Sequence, residues 1–129
     1  MALIRALTAS SGGGGEKPTL LWSDNDGTNS SISVDHSAYQ YILIISGYYN
    51  DPNAIYKKVT LCDKSVSSHH SIGPCAWSNA GYTYITVSFS SGTISIAYKE
   101  SARNRVYAVY GCNSLCIDYT DIWARGDIA

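Results

Sequence analysis

The sequence has 129 residues, a formal net charge of −1 and 15% charged residues, which suits one domain with a single core. It contains no basic block that would neutralise phosphates, so we expect no nucleic-acid binding. The longest apolar run is YILII at 41–45, which is too short to span a bilayer.

Tyrosine and tryptophan dominate the aromatic residues, with eleven Tyr and three Trp against one Phe. Both side chains combine an apolar body with a polar tip, so they suit half-solvated sheet faces and contact surfaces. Ser, Thr, Asn and Gly are abundant where many enzymes carry Lys and Glu. This composition is typical of an exterior, β-rich module.

Residues 1–18 are predicted to form a separate N-terminal anchor and Gly-rich linker. Leu3, Ile4 and Leu7 are spaced to share one face of a short segment that is marginally stable alone, so we predict that they dock on a partner protein. Ser10 to Gly15 form a flexible tether. The alternative is an ordinary disordered N-terminus. Arg5 interrupts the apolar stretch, so we expect no secretion signal and synthesis in the cytoplasm.

From residue 19 onward, apolar and polar residues alternate with a period of two, which predicts strands. The segment 24–31 is predicted to be a turn-rich loop, with Asp26 and Gly27 at its reversal. Segment 64–81 is expected to hold a short edge strand and a loop, and the last three strands to form a meander. The other predicted strands cover 19–23, 32–36, 39–49, 54–63, 82–89, 93–100 and 105–112.

The predicted strand over 39–49 is apolar on both faces, which indicates a central strand beneath a second layer, and it forms a hairpin with 54–63. In the tail, Ile117, Tyr119, Ile122 and Trp123 are expected to continue the sheet or to cover one end of the core. Seven to nine strands at this spacing predict an all-β domain over 19–129, a two-layer antiparallel β-sandwich that is jelly-roll-like.

The sequence contains few residue patterns typical of catalytic sites, so we predict that the protein is not an enzyme. No serine lies in a Gly-x-Ser-x-Gly elbow, and His36 is the one histidine with an adjacent carboxylate, that of Asp35. A small hydrolase that depends on His36 is retained as an alternative. Glu16 and Glu100 are the only glutamates, and the aspartates cluster in turns, so a glycosidase pair is not expected.

Metal sites and cofactors are not expected either. The cysteines at 62, 75, 112 and 116 are predicted to be free thiols, although one or two disulfides remain an alternative. A zinc site drawing on Cys112, Cys116 and His69 or His70 is a further alternative. Residues 24–27 resemble the start of a calcium loop but lack its closing Glu. The tripeptide at 125–127, RGD, is interpreted as surface tail.

Aromatic and amide side chains near two predicted turns form the candidate contact site. Sugar-binding surfaces use flat rings for the apolar face of a saccharide and polar side chains for its hydroxyls. The alternative is that these rings cap the ends of the sandwich. The candidate glycan or receptor contacts are Tyr48, Tyr49, Asn50, Asp51 and Trp77.

The layout resembles small phage and prophage structural proteins. The resemblance rests on the Met-led apolar head, the glycine tract at 12–15, the segment TLLWSDNDGTNSSISVDHSAYQYILI and the late strand RVYAVYGCN. It spans most of the chain and carries no catalytic signature. The four cysteines depart from the usual pattern of that group.

The resemblance implies a non-enzymatic virion component of a tail fibre, baseplate or capsid surface. We therefore expect residues 1–9 to anchor the protein to other virion proteins and the β-sandwich to decorate the particle or attach it to a host surface. A homo-oligomer, such as a trimer, is expected from local particle symmetry. A carbohydrate-binding, lectin-like module that binds host glycans is the alternative.

Overall fold

The computed structural model describes residues 15–48, 57–77 and 81–124. These residues form an all-β sandwich with one short helix, which confirms the predicted fold class. The elements are β1 (Thr19–Thr28), β2 (Ile32–Ser33), β3 (Tyr41–Tyr48), β4 (Lys58–Asp63), β5 (His69–Trp77), β6 (Gly81–Ser90), β7 (Thr93–Lys99), β8 (Asn104–Cys112) and α1 (Thr120–Ala124).

Two antiparallel four-stranded sheets form the layers, with strand orders β1-β8-β3-β4 and β2-β7-β6-β5. The nested pairs β1–β8 and β2–β7 make the sandwich jelly-roll-like, and β3–β4 is the predicted hairpin. The predicted meander is only partly correct. The β6 and β7 strands pair, but β8 crosses to the other sheet and lies between β1 and β3. In this position the backbone N–H and C=O groups of β8 form hydrogen bonds with β1 on one side and with β3 on the other.

The inner core fills the space between the sheets. Ile42 and Ile44 of β3 face Ile85 and Val87 of β6 across it, and all four side chains are at most 1% exposed. Alternation along each strand produces this arrangement, because successive side chains point to opposite faces. Burial of such aliphatic side chains supplies about 2 kcal/mol each and is the main stabilising term.

A second apolar layer covers the outer face of the β1-β8-β3-β4 sheet. Leu43 and Ile45 point away from the inner core, yet both are 0% exposed. Ile117 and Ile122 from the C-terminal segment pack in this layer. This arrangement explains why the middle of β3 is apolar on both faces, as the sequence predicts. Within the described part of the tail, residues 117–122 therefore cover a sheet face and do not add a strand.

Three predicted boundaries are wrong, and in the first of them the predicted strand over 32–36 ends at Ser33. The segment 24–27 is an irregular, bulged part of β1 and not a loop between strands, because the β1–β8 register jumps between Ser23 and Thr28. Gly27 has φ 73°, the left-handed conformation expected of it. Segment 64–81 contains the nine-residue strand β5, since its bulge at Gly73 absorbs the residues that interrupt the alternation.

Candidate functional site

The predicted contact residues lie at or beside the ends of two strands. Tyr48 is the last residue of β3 and is half-buried. The backbone of Trp77 ends β5, while its side chain lies outside the described part of the chain. Tyr49, Asn50 and Asp51 also lie outside the described residues, as do the predicted anchor residues Leu3, Ile4 and Leu7.

The ends of β3 and β5 lie at the same end of the sandwich, which we call the Tyr48 end. Tyr48 pairs with Asn104 at the start of β8. The fully buried Asn104 side chain accepts a 2.8 Å hydrogen bond from Thr83 Oγ1, and Thr83 pairs with Cys75, two residues before the end of β5. Asn104 also donates to the Tyr84 carbonyl at 3.1 Å, so it links the two sheets beneath this end.

The opposite end, which we call the His36 end, receives the N-terminal segment. Glu16 donates its backbone N–H to the Cys116 carbonyl and accepts from the Asp118 N–H, both at 2.8 Å. Its side-chain Oε1 accepts from the Asn113 N–H at 2.8 Å. A Cβ on Gly15 would lie 2.9 Å from the Cys116 carbonyl oxygen, so the chain runs close against 116–118 here. The last part of the predicted 1–18 linker is therefore bonded to the domain.

His36 has a structural environment at this end. The ring is 6% exposed, with Nε2 2.7 Å from the Ser90 carbonyl oxygen and Nδ1 2.9 Å from Lys64 Nζ. Nε2 thus faces the backbone carbonyl oxygens of Ser90 and Thr93, and Nδ1 faces the Lys64 side chain, which also donates to the His36 carbonyl at 2.7 Å. Asp35 binds Ser37. Both ring nitrogens of His36 therefore contact groups of the domain itself.

Three Asp-x-Ser/Thr turns fix the loops and the tail. In each, the carboxylate accepts hydrogen bonds from the hydroxyl and the backbone N–H two residues later. These hydroxyl bonds, with the backbone bonds, hold the carboxyl pKa below its usual value at each site. Asp118 in this way caps the start of α1. The pairs are Asp35 with Ser37, Asp63 with Ser65, and Asp118 with Thr120.

The lowered pKa values predict acid destabilisation. A carboxyl whose pKa is lower folded than unfolded contributes stability above its unfolded pKa, and this is lost as pH falls through the folded value. We expect the urea-measured free energy of unfolding to fall between about pH 5 and pH 2. The triple variant Ser37→Ala, Ser65→Ala, Thr120→Val should show a shallower fall over that range. An identical pH dependence in both proteins would contradict this assignment.

Cys62, Cys75 and Cys112 are buried free thiols. Burial raises the pKa of Cys62 to about 12 and of Cys75 to about 11, so both stay protonated at neutral pH. Burial also raises the pKa of Cys112. Among the residues that the structure describes, no group of three His, Cys, Asp or Glu side chains is placed to hold a metal ion. The zinc and calcium alternatives therefore have no support from the described residues.

The outer face of the β2-β7-β6-β5 sheet was not singled out from the sequence. Odd-numbered residues of β6, such as Ile85, Val87 and Phe89, face the core, so the even-numbered ones face outward. Three outward cross-strand pairs carry a hydroxyl side chain on both strands, while Ser88 also lies opposite the exposed His69 and Thr86 opposite the exposed Tyr98. We call these six residues the hydroxyl face: Ser33 with Thr93, Ser88 with Ser95, and Ser71 with Thr86. The alternating Ser and Thr of the sequence was the available signal.

A scan of protein-family models and a search of curated proteins give no match to this chain. Within the described ranges, no helix has the length and apolar character needed to cross a membrane.

Proposed function

We propose that this protein is a non-enzymatic structural component of a phage particle. Residues 1–9 anchor it to other virion proteins, and the β-sandwich is displayed on the particle surface for decoration or host attachment. Copies of the chain associate as a homo-oligomer, such as a trimer, that follows the local symmetry of the particle.

The observation that carries this proposal is the placement of the two ends. The N-terminal segment reaches the domain at Glu16, which is bonded to 113–118 at the His36 end. The predicted contact residue Tyr48 lies at the other end of β3, about 24 Å away for an eight-residue strand. A domain attached at one end and exposing loops at the other suits a displayed module.

The test is co-sedimentation of the protein with purified particles. Deletion of residues 2–9 should abolish incorporation, while the shortened protein stays folded, because Glu16 and its bonds are retained. The triple variant Leu3→Ser, Ile4→Ser, Leu7→Ser should behave in the same way. The matched control is Thr8→Ala with Ser10→Ala, which leaves the apolar side chains in place.

Two outcomes would contradict the proposal. Incorporation that is unchanged without residues 2–9 removes the anchoring role, and a full-length protein that never sediments with particles removes the virion role. Any shortened protein should still contain Gly15 and Glu16. Loss of Glu16 breaks three hydrogen bonds, so a loss of incorporation could then reflect unfolding and not the loss of the anchor.

A carbohydrate-binding module is the second candidate function. Its support is that the strand ends carrying Tyr48 and Trp77 emerge at the same end of the sandwich. If this end binds glycans, Tyr48→Ala and Trp77→Ala should each weaken glycan-array binding by about tenfold, the effect of losing a buried aromatic anchor. Binding unchanged in both variants would exclude this end as a glycan site.

A further inference from the structure

We infer that the contact between His36 and Lys64, which we call the latch, opens in acid and thereby loosens the bonds that hold the N-terminal segment at Glu16. The ring of His36 is buried, and hydrogen bonds through Asn113 connect its loop to Glu16. All of these bonds lie within the described domain, so the response to acid does not depend on the proposed anchoring or on glycan binding.

The latch joins two basic nitrogen atoms. Lys64 Nζ lies 2.9 Å from His36 Nδ1. A hydrogen bond between two nitrogen atoms needs a hydrogen on one of them and a lone pair on the other. An imidazolium facing an ammonium has hydrogens on both sides and no lone pair, and it also places two positive charges in contact. The closed latch therefore holds at most one positive charge.

Burial of the ring makes a second charge in the closed latch costly. The His36 ring is 6% exposed and lies edge-on to the Phe89 ring, with 5.5 Å between the ring centroids. Burial lowers the pKa of the Lys64 ammonium, while the Asp35 carboxylate acts in the opposite direction. Since the ring has little contact with water, the repulsion between two cations here is poorly screened. Addition of a second proton therefore favours opening.

Two carboxylates and one further histidine lie near the latch. Asp35 precedes His36 and Asp63 precedes Lys64, and each carboxylate accepts hydrogen bonds from the serine two residues later. Neither forms an ion pair with another residue that the structure describes. His70 on β5 contacts the same phenylalanine ring, with 5.7 Å between the ring centroids. Of these groups, only Lys64 is hydrogen-bonded to the His36 ring.

Hydrogen bonds connect the loop that carries His36 to the N-terminal segment. The Ala38 carbonyl accepts from Asn113 Nδ2 at 3.0 Å, and the Gln40 N–H donates to Asn113 Oδ1 at 2.8 Å. The backbone N–H of Asn113 in turn donates to Glu16 Oε1 at 2.8 Å. Displacement of the loop therefore strains the bonds of Asn113, which also holds Glu16.

Acid favours the open state, because the open pair can bind one proton more than the closed latch. An imidazole in contact with solvent titrates at about pH 6.5. Opening should therefore become about tenfold more favourable from about pH 7.5 to about pH 5.5, and the closed state is restored as pH rises. The carboxylates of the Asp-x-Ser/Thr turns take up protons below this range, so the two acid effects are separable.

Amide hydrogen exchange of the full-length protein, followed by NMR, tests the inference. The reporter amides are those of Glu16, which donates to the Cys116 carbonyl, and Gln40, which donates to Asn113. After correction for the intrinsic exchange rate, their protection should fall by about tenfold from about pH 7.5 to about pH 5.5. The Ile44 amide in the central strand β3 is the internal reference and should keep its protection.

Two variants remove the titrating contact in different ways. His36→Gln keeps a hydrogen-bonding side chain that does not titrate, and Lys64→Met keeps an unbranched side chain without its charge. Protection of the reporter amides should become independent of pH in the first and should change by no more than about threefold in the second, where a protonated ring meets no second cation. The matched controls, His69→Gln and His70→Gln, remove imidazoles at the same end and should keep the full response.

Equal protection of the reporter amides at both pH values in the unaltered protein overturns the inference. A pH response that persists unchanged in His36→Gln or in Lys64→Met also overturns it. A response lost only in His70→Gln assigns the proton uptake to His70 and overturns the latch. Circular dichroism checks that each variant is folded at both pH values, and Lys64→Met decides the question if His36→Gln is unfolded.

Discussion

Gly111→Ala is expected to destabilise the protein by about 3 kcal/mol, because the space beside Gly111 is already filled and cannot hold a methyl group. Gly111 lies in β8 between Thr19 and Ile42, and a Cβ at this position would lie 2.5 Å from two ring carbons of Tyr39. The backbone on both sides is paired, so neither strand can move away. Thermal unfolding should show a melting temperature lower by about 10 °C.

Gly92→Ala is the matched control, because a Cβ there has nothing within 4 Å. Gly92 has φ 69°, so its substitution costs only the left-handed strain of about 1 kcal/mol. In a Tyr39→Ala background, Gly111→Ala should become nearly neutral, since the ring that it meets is gone. An equal cost for Gly111→Ala with and without Tyr39 would contradict this explanation.

Leu43→Ala is expected to cost about 3 kcal/mol, although Leu43 points away from the inner core. Leu43 is 0% exposed and packs in the outer apolar layer with Ile45, Tyr110 and Ile117. Truncation leaves a cavity in that layer, because strands β4 and β8 hold β3 on both sides. Urea unfolding at neutral pH measures the effect.

Leu61→Ala provides the comparison within the same cross-strand pair. Leu61 lies directly opposite Leu43 but is 38% exposed on the edge strand β4, so its truncation should cost about 1 kcal/mol or less. If the two substitutions had equally small effects, the outer layer would not be a second core. The domain would then behave as a two-layer sandwich with one dry interior.

Particular residues show why the fold class was predictable from the sequence. Alternation in β6 and β7 sets Ile85, Val87 and Ile94 against outward hydroxyls, and this pattern needs only the geometry of a strand. The run Ile42 to Ile45 is apolar without alternation, which correctly predicts a strand covered on both faces. Hairpin β3–β4 follows from adjacency along the chain.

The candidate contact site was predictable only as two separate turns. Tyr48 and Trp77 are 29 positions apart in the sequence, and their strand ends come together through pairing of β3 with β8 and the buried Asn104–Thr83 bond. No local pattern reports such a bond, because its partners belong to different sheets. The glycan role of these residues stays a prediction.

The amino-acid sequence by itself determined most of the strands, their inward and outward faces and the unusual two-sided burial of β3, since these follow from local alternation. Only the tertiary structure decided that β8 lies between β1 and β3, that Glu16 is bonded to 113–118, and that the tail covers one sheet. These features depend on pairings between segments far apart in the chain. Their free energy comes from burial and hydrogen bonds that exist only when the whole domain is assembled.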